Sequence, residues 1–292
     1  MSRILISADE LAGLLSAVPA VRVLDVRWRL DRPDGRPEFL DGHIPGAVYV
    51  DLDTELAEHG APTDGRHPLP STQRLQAAAR RWGLNDGETV VVYDDLKSLS
   101  AARAWWLLAD GGIADVRILD GSLRAWTDAG HPLQTGDVAP VAGTVTLAGG
   151  HLAKADIDEA AELATTGVLI DVRAAERYRG DVEPIDPRAG HVPGALNRFT
   201  GANVGADGRF LDPETLRREF ADLGVVDGEP VGVYCGSGVT ASHAFVALTI
   251  AGYRPTLYPG SWSQWSNHLD RPVATGSDPA GALASATQKE QS

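Results

Sequence analysis

Val231-Gly232-Val233-Tyr234-Cys235-Gly236-Ser237-Gly238-Val239-Thr240 leads a short apolar run directly into a glycine-rich loop, and an alanine-rich stretch from Ala241 to Ala251 follows. The order is strand, tight loop, helix N-terminus. That arrangement aims backbone N–H groups at one point, because the first amides of a helix have no partner within it. Cys235 stands at the head of the loop and is the only cysteine in the 292 residues. A thiolate or persulfide held there is stabilised as an anion, and the thiolate is the nucleophilic form of cysteine. Gly236 and Gly238 allow the backbone to approach closely and to adopt positive φ. The competing reading of a lone cysteine is a buried, inert thiol.

Working outward, the region has an earlier counterpart. Gly232-Val233-Tyr234-Cys235 echoes Val91-Val92-Tyr93-Asp94, and Pro259-Gly260-Ser261-Trp262-Ser263-Gln264-Trp265 echoes Asp120-Gly121-Ser122-Leu123-Arg124-Ala125-Trp126. Ile170-Asp171-Val172-Arg173 echoes Leu24-Asp25-Val26-Arg27, and Gly190-His191-Val192-Pro193-Gly194-Ala195 echoes Gly42-His43-Ile44-Pro45-Gly46-Ala47. Four landmarks in one order, each displaced by about 140 to 150 residues, indicate an internal duplication. The length agrees, since a chain of this size is expected to form two domains.

Each copy alternates short apolar runs with helical patterns, the signature of an α/β domain with a mainly parallel sheet. Strands are expected at Arg22–Val26, Ala47–Val50, Thr89–Tyr93 and Val116–Leu119, then at Val168–Val172, Ala195–Asn197, Pro230–Tyr234 and Pro255–Tyr258. Helices are expected at Ala8–Ser16, Ser71–Trp82, Ala101–Ala109 and Gly121–Ala129, then at Pro213–Leu223, Ser242–Ala251 and Ser261–Asn267. The resulting division is a first domain over 1–133, an extended linker over 134–150, a second domain over 151–274 and a disordered tail over 275–292.

A hydrophobic content of 43% and a charged content of 23% are those of a globular chain. No apolar run reaches the roughly 18 residues that a membrane span needs. A net charge of −14 argues against general nucleic-acid binding. One cysteine cannot form an internal disulfide, and Met1–Ser7 lacks the apolar segment of a signal peptide, so the expected compartment is a reducing cytoplasm. No Cys/His cluster has metal-binding spacing, and the expectation is no metal and no cofactor. Cysteine phosphatases share the Cys-x₅ loop but need an arginine six residues after the cysteine to clamp phosphoryl oxygens. Here that position is Ala241.

The paired Asp-Val-Arg strands, the His-[Ile/Val]-Pro-Gly-Ala turns, the Cys235-Gly236-Ser237-Gly238-Val239-Thr240 loop and the Gly-Ser-x-x-x-Trp endings together resemble the tandem-domain sulfurtransferases of the rhodanese family. The resemblance runs from about Ile6 to Val273, and the neutral loop is most similar to that of 3-mercaptopyruvate sulfurtransferases. It implies that Cys235 accepts a sulfane sulfur as a persulfide and passes it to a thiol or to cyanide, at a site in the cleft between domains. Thiosulfate is the alternative donor. A non-catalytic persulfide carrier is the alternative from another class. Because Asp94 occupies the place of Cys235 in the first copy, that copy is expected to be inactive. Asp94 and Asp95 themselves read as a solvated or helix-capping pair.

The resemblance also implies roles for other residues. Arg177, in Glu176-Arg177-Tyr178-Arg179-Gly180, matches an arginine that binds the donor's carboxylate. A second family arginine follows Glu-Pro, where this chain has Ile185, and Arg188 is the nearest candidate. Ser237, His67 and Asp53 match a serine, histidine and aspartate proposed to move a proton together. Gly236, Gly238, Val239 and Thr240 would surround the sulfur. With no second cysteine to receive it, the sulfur must leave to an external thiol, either a small molecule or a thioredoxin-like protein. His43 and His191 recur in both copies, which assigns them to holding turns. The tryptophans are assigned to packing.

Overall fold

The computed structural model describes residues 3–17 and 21–284. They pack as two units, one drawn from Met1–Glu58, Leu69–Leu152 and Val204–Leu211, the other from His59–Pro68, Ala153–Asn203 and Asp212–Ser292. Among the described residues no helix is long and apolar enough to cross a membrane.

The first unit runs β1 (Leu5–Ile6), α1 (Ala8–Ser16), β2 (Val21–Asp25), α2 (Arg36–Asp41), β3 (Val48–Tyr49), α3 (Leu52–Glu55), α4 (Thr72–Arg81), β4 (Thr89–Tyr93), α5 (Ala101–Asp110), β5 (Val116–Leu119) and α6 (Ser122–Asp128). Its five strands form a parallel sheet in the order β1-β5-β4-β2-β3. The second unit contains α7 (Ile157–Thr166), β6 (Val168–Asp171), α8 (Ala175–Arg179), β7 (Leu196–Asn197), α9 (Pro213–Asp222), β8 (Val231–Tyr234), α10 (Val239–Ile250), β9 (Pro255–Leu257), α11 (Ser261–Asn267), β10 (Val273–Thr275) and β11 (Ala282–Ala284). Its main sheet is parallel in the order β7-β6-β8-β9. The sheets are flanked by helices, as the alternating pattern predicts.

In both sheets the central strands carry the longest β-branched and aromatic runs. Val90 to Tyr93 in β4 and Val231 to Tyr234 in β8 are all buried, which suits strands covered on both faces. Their carboxyl ends open onto Asp94 and Cys235, and this end of a parallel sheet is where α/β domains place their sites.

The repeated motifs are structural in both units. Arg27 pairs with Asp25 at 2.7 Å and donates to the carbonyls of Glu38 and Gly42. Arg173 pairs with Asp171 at 2.6 Å, donates to the carbonyl of Gly190 and covers the Trp262 ring at 4.7 Å. The buried tyrosine hydroxyls of Tyr93 and Tyr234 accept the N–H groups of Ile44 and Val192 and so hold the two Pro-Gly turns. His43 and His191 contact the carbonyls of Phe39 and Tyr178 through Nδ1, each at 2.8 Å.

His191 is stacked on Tyr178, with ring centroids 3.7 Å apart. Burial pushes its pKa below the ordinary value, so the fold favours the neutral ring. Its contribution to stability is therefore complete above the unfolded-state value of about 6.5 and declines as the pH falls through the lower folded-state value. Thermal melts from pH 7.5 to 5 on the wild type and His191→Gln should show a smaller acid-side loss for the variant; parallel curves would refute the assignment.

Several stretches differ from the sequence expectation, among them the short elements β1, α2, α3 and α8, which it did not include. Helix α7 was not anticipated, although Asp156 caps it and Glu159 completes a capping box. The segment 134–150 is extended but anchored to the first unit. The N–H groups of Gly143 and Val145 donate to the carbonyls of Arg80 and Leu84, and Val145 and Leu147 are buried. The stretch read as a disordered tail from 275 begins in a hairpin, because β10 pairs antiparallel with β11. Residues 285–292 of that tail lie outside the described residues.

Candidate active site

Strand β8 ends at Tyr234, and the chain turns through Cys235, Gly236 and Ser237 to Gly238, which begins α10 directly. Gly238 has φ +80°, and a Cβ there would lie 2.4 Å from the Pro259 carbonyl oxygen, so no side chain fits. This left-handed residue starts the helix at Val239, three residues earlier than the expected Ser242. Helix α10 is apolar nearly all round and mostly buried, which fixes its N-terminal end behind the loop.

Cys235 is 2% exposed, and its Sγ accepts the Gly238 N–H at 3.1 Å. Val239 and Thr240 form the first turn of α10, where amides lack intrahelical partners. The beginning of α11 fastens the loop from the other side. The Cys235 N–H donates to Ser261 Oγ at 3.1 Å, and the carbonyls of Cys235 and Gly236 accept from Trp262 and Ser263 at 3.0 and 2.8 Å. Ser261 holds φ +54°, a strained setting for serine, which this web of bonds maintains. The supporting role of Ser261 and Ser263 was not legible, although the Gly-Ser-x-x-x-Trp repeat pointed at the place.

The segment His59–Pro68 belongs to the same unit as this loop. It brings His67 to the cysteine loop, with Nδ1 2.7 Å from Ser237 Oγ, and both side chains are buried. The Arg66 N–H donates to Ser263 Oγ at 3.0 Å. Two of the three residues of the expected relay therefore meet within one unit. Asp53 lies in α3 of the first unit and is half-buried.

Arg177, in the middle of α8, pairs with Glu183 at 2.6 Å and with Asp186 at 3.3 Å. Asp186 in turn accepts from Arg66 at 2.8 Å. An added Cβ at Gly236 would lie 3.3 Å from Arg66 Nη2 and 3.5 Å from Arg177 Nη1. Both guanidinium groups thus border the space over the residue that follows Cys235. Arg66 was missed by the sequence reading, which passed over it to reach His67.

Arg188 requires a correction. Its guanidinium donates to the backbone carbonyls of Ser266, Arg271, Trp265 and His268, at 2.7 to 2.8 Å. Four of the five N–H donors of an arginine are thereby used to close the turn after α11. Arg188 is a structural residue and is not available to hold a donor.

In the first unit the position equivalent to Cys235 is filled by Asp94, which is fully buried. Its carboxylate accepts N–H groups from Leu96, Ser98, Ser100 and Ala101 and the Ser122 hydroxyl, at 2.8 to 3.0 Å. Asp94 caps, since Ser100 and Ala101 begin α5, and it is buried; of the pair only Asp95 is exposed to solvent. Ser122 mirrors Ser261, down to a positive φ of 61°. The cradle survives in this copy, occupied by a fixed internal anion that cannot accept sulfane sulfur.

Two parallel sheets with matching cradles, one headed by a thiol and one by a carboxylate, define a duplicated α/β protein with a thiol in only one of its two loops. The rhodanese-like domain model matches the chain twice, over residues 7–129 and 155–268. The chain belongs to the rhodanese family, and it is a sulfurtransferase. A Mycobacterium tuberculosis relative bearing the name thiosulfate sulfurtransferase SseB is 49% identical over 94% of this chain and 98% of its own. A Pseudomonas aeruginosa relative bearing the name 3-mercaptopyruvate sulfurtransferase is 46% identical over 93% of this chain and 98% of its own. The crystal structure of the 3-mercaptopyruvate sulfurtransferase SseA from Escherichia coli superposes with a TM-score of 0.80 at 33% identity, covering 89% of this chain and 99% of that one.

Proposed function

We propose that the protein moves sulfane sulfur from 3-mercaptopyruvate to an external thiol through a persulfide on Cys235, in the reducing cytoplasm. The observation that carries this reading is the 2.7 Å contact between His67 Nδ1 and Ser237 Oγ, two residues along the loop from the nucleophile. A carboxylate thiol donor leaves as an enolate that must be protonated, and a serine–histidine pair supplies such a path. Sulfite leaving from thiosulfate needs none.

The Cys235 thiolate attacks the donor's sulfur and the S–C bond breaks, its electron pair passing to carbon as the enolate of pyruvate. The proton originally on the donor's thiol moves to the enolate carbon through Ser237 and His67. The products are pyruvate and a Cys235 persulfide anion, so protons and charge balance. Arg177 pairs with the donor's carboxylate. The persulfide charge stays near the Gly238 N–H and the first turn of α10, bordered by Gly236, Val239 and Thr240. The thiolate of a small thiol or a thioredoxin-like protein then attacks the outer sulfur and regenerates Cys235.

The thiosulfate reading draws support from the name of the M. tuberculosis relative. Steady-state kcat/KM for both donors separates the two: a higher value for 3-mercaptopyruvate is expected, and a higher value for thiosulfate would overturn the proposal. Intact-mass measurement should find one added sulfur after 3-mercaptopyruvate alone. A pure carrier would acquire it only from a partner protein. Ser237→Ala should lower kcat for 3-mercaptopyruvate about 10²-fold, the usual worth of a positioned proton donor, and leave thiosulfate turnover within a few-fold.

A further inference from the structure

We propose that Arg66 is the second anion-binding residue of the donor site, and that Asp186, shared between Arg66 and Arg177, is a positioning carboxylate that tunes the site toward a singly charged donor. The donor's chemistry rests on the reading above, whereas the role of Arg66 does not.

Three observations converge on Arg66. Its Nη2 borders the space over Gly236 together with Arg177 Nη1, at 3.3 and 3.5 Å from the position of a Cβ. Its Nε is buried and has no hydrogen-bond partner among the described residues. A buried guanidinium N–H without an acceptor is costly and is the kind of group a ligand satisfies. Finally, Arg188, the residue that sequence position favours, is committed to four backbone carbonyls.

The position of Arg66 is well determined. Its backbone N–H is held by Ser263, the same residue whose own N–H holds the Gly236 carbonyl. Its Nη1 is bonded to Asp186, whose side chain is 2% exposed. Arg177 reaches the other oxygen of the same carboxylate at 3.3 Å. One buried carboxylate thus orients two guanidinium groups toward one space beside the nucleophile.

The charge arrangement bears on the donor. Arg66, Arg173 and Arg177 are matched within the network by Asp171, Glu183 and Asp186. The site therefore offers directed N–H groups with no excess positive charge. A carboxylate monoanion takes those hydrogen bonds in full, whereas the thiosulfate dianion also meets two fixed carboxylates close by. Removing the Asp186 charge should relax that discrimination.

The test compares wild type, Arg66→Ala, Arg66→Gln, Arg66→Lys and Asp186→Asn with both donors. Arg66→Ala should raise KM for 3-mercaptopyruvate about 10- to 100-fold, the worth of a lost charge-assisted hydrogen bond, with a smaller effect on kcat. Arg66→Lys should recover part of the loss. Discharge of a preloaded persulfide to dithiothreitol should be unchanged in all Arg66 variants, which a collapse of the loop would not permit. If Arg66→Ala fails to fold, the shorter, neutral but still polar Arg66→Gln carries the same comparison. An unchanged KM in the folded variants would overturn the role of Arg66. Asp186→Asn should raise the thiosulfate to 3-mercaptopyruvate ratio of kcat/KM about tenfold or more; equal losses for both donors would overturn the role of Asp186. If the wild type itself prefers thiosulfate, the donor reading fails, while the KM effect of Arg66→Ala is still measured on thiosulfate.

Discussion

Cys235→Ser yields a folded protein that takes up no sulfur. Turnover with either donor should fall by at least about three orders of magnitude, and intact-mass spectra should show no added sulfur after incubation. The loss is chemical. A serine hydroxyl at neutral pH is neither a comparable nucleophile nor able to hold sulfane sulfur. Structurally the change is mild, since Oγ still accepts the Gly238 N–H that now reaches Sγ at 3.1 Å. The bonds from Cys235 N–H and carbonyl to Ser261 and Trp262 involve only backbone at residue 235. Unfolding free energy should stay within about 1 kcal/mol of the wild type. Persistent sulfur uptake by this variant would mean that the acceptor lies elsewhere.

Asp94→Ala should have the opposite profile, with a large loss of stability and no change in the identity of the nucleophile. Four backbone N–H groups and the Ser122 hydroxyl converge on the buried Asp94 carboxylate. Alanine leaves the Leu96, Ser100 and Ala101 N–H groups and the Ser122 hydroxyl without their acceptor, each costing on the order of 1–3 kcal/mol if it stays dry, while the Ser98 N–H keeps Ser122 Oγ at 2.9 Å. Relaxation and entry of water recover part of that, so the expected destabilisation is about 3–5 kcal/mol by chemical denaturation. Asp94→Asn keeps the shape but trades one acceptor oxygen for a donor, and should fall between. A loss below about 1 kcal/mol for Asp94→Ala would show that the cradle of the first unit does not depend on its internal anion.

The contrast between Cys235 and Asp94 indicates how much of this molecule was legible beforehand. Strand Thr89–Tyr93, strand Val116–Leu119 and helix Ser261–Asn267 have the bounds expected from their patterns. These are segments whose burial is decided locally, by a continuous apolar run or by a turn signal at each end. Helix α10 was placed late because its start depends on one torsion angle at Gly238. The hairpin of β10 and β11 was missed because its small residues carry little periodicity, and its pairing is a contact between segments.

The site divides along the same line. Cys235 and Ser237 lie within one loop after a strand, so the sequence places them side by side, whereas His67 is 170 residues from Ser237 and only the fold brings the two together. Arg188 was misassigned because the carbonyls of 265–271 that bind it are backbone groups, present at every residue and therefore silent in sequence. Arg66 was passed over for a related reason: nothing about an arginine between Gly65 and His67 says that Asp186 and Gly236 will be its neighbours.

By itself the sequence determined the duplication, the two parallel α/β units, the single cysteine at the head of its loop and the lack of a phosphate-clamping arginine at Ala241. Each of these follows from residue identity and short-range order, which chemistry reads directly. Tertiary structure decided which guanidinium groups border Gly236, which arginine is spent on backbone carbonyls, and that the Asp94 cradle is full. The first depends on pairings across more than a hundred residues, such as Arg66 with Asp186; the second on contacts across 77 to 83 residues; the third on contacts across 2 to 28. Such pairings come about only when packing brings distant segments within hydrogen-bond reach and burial makes each unmatched group costly.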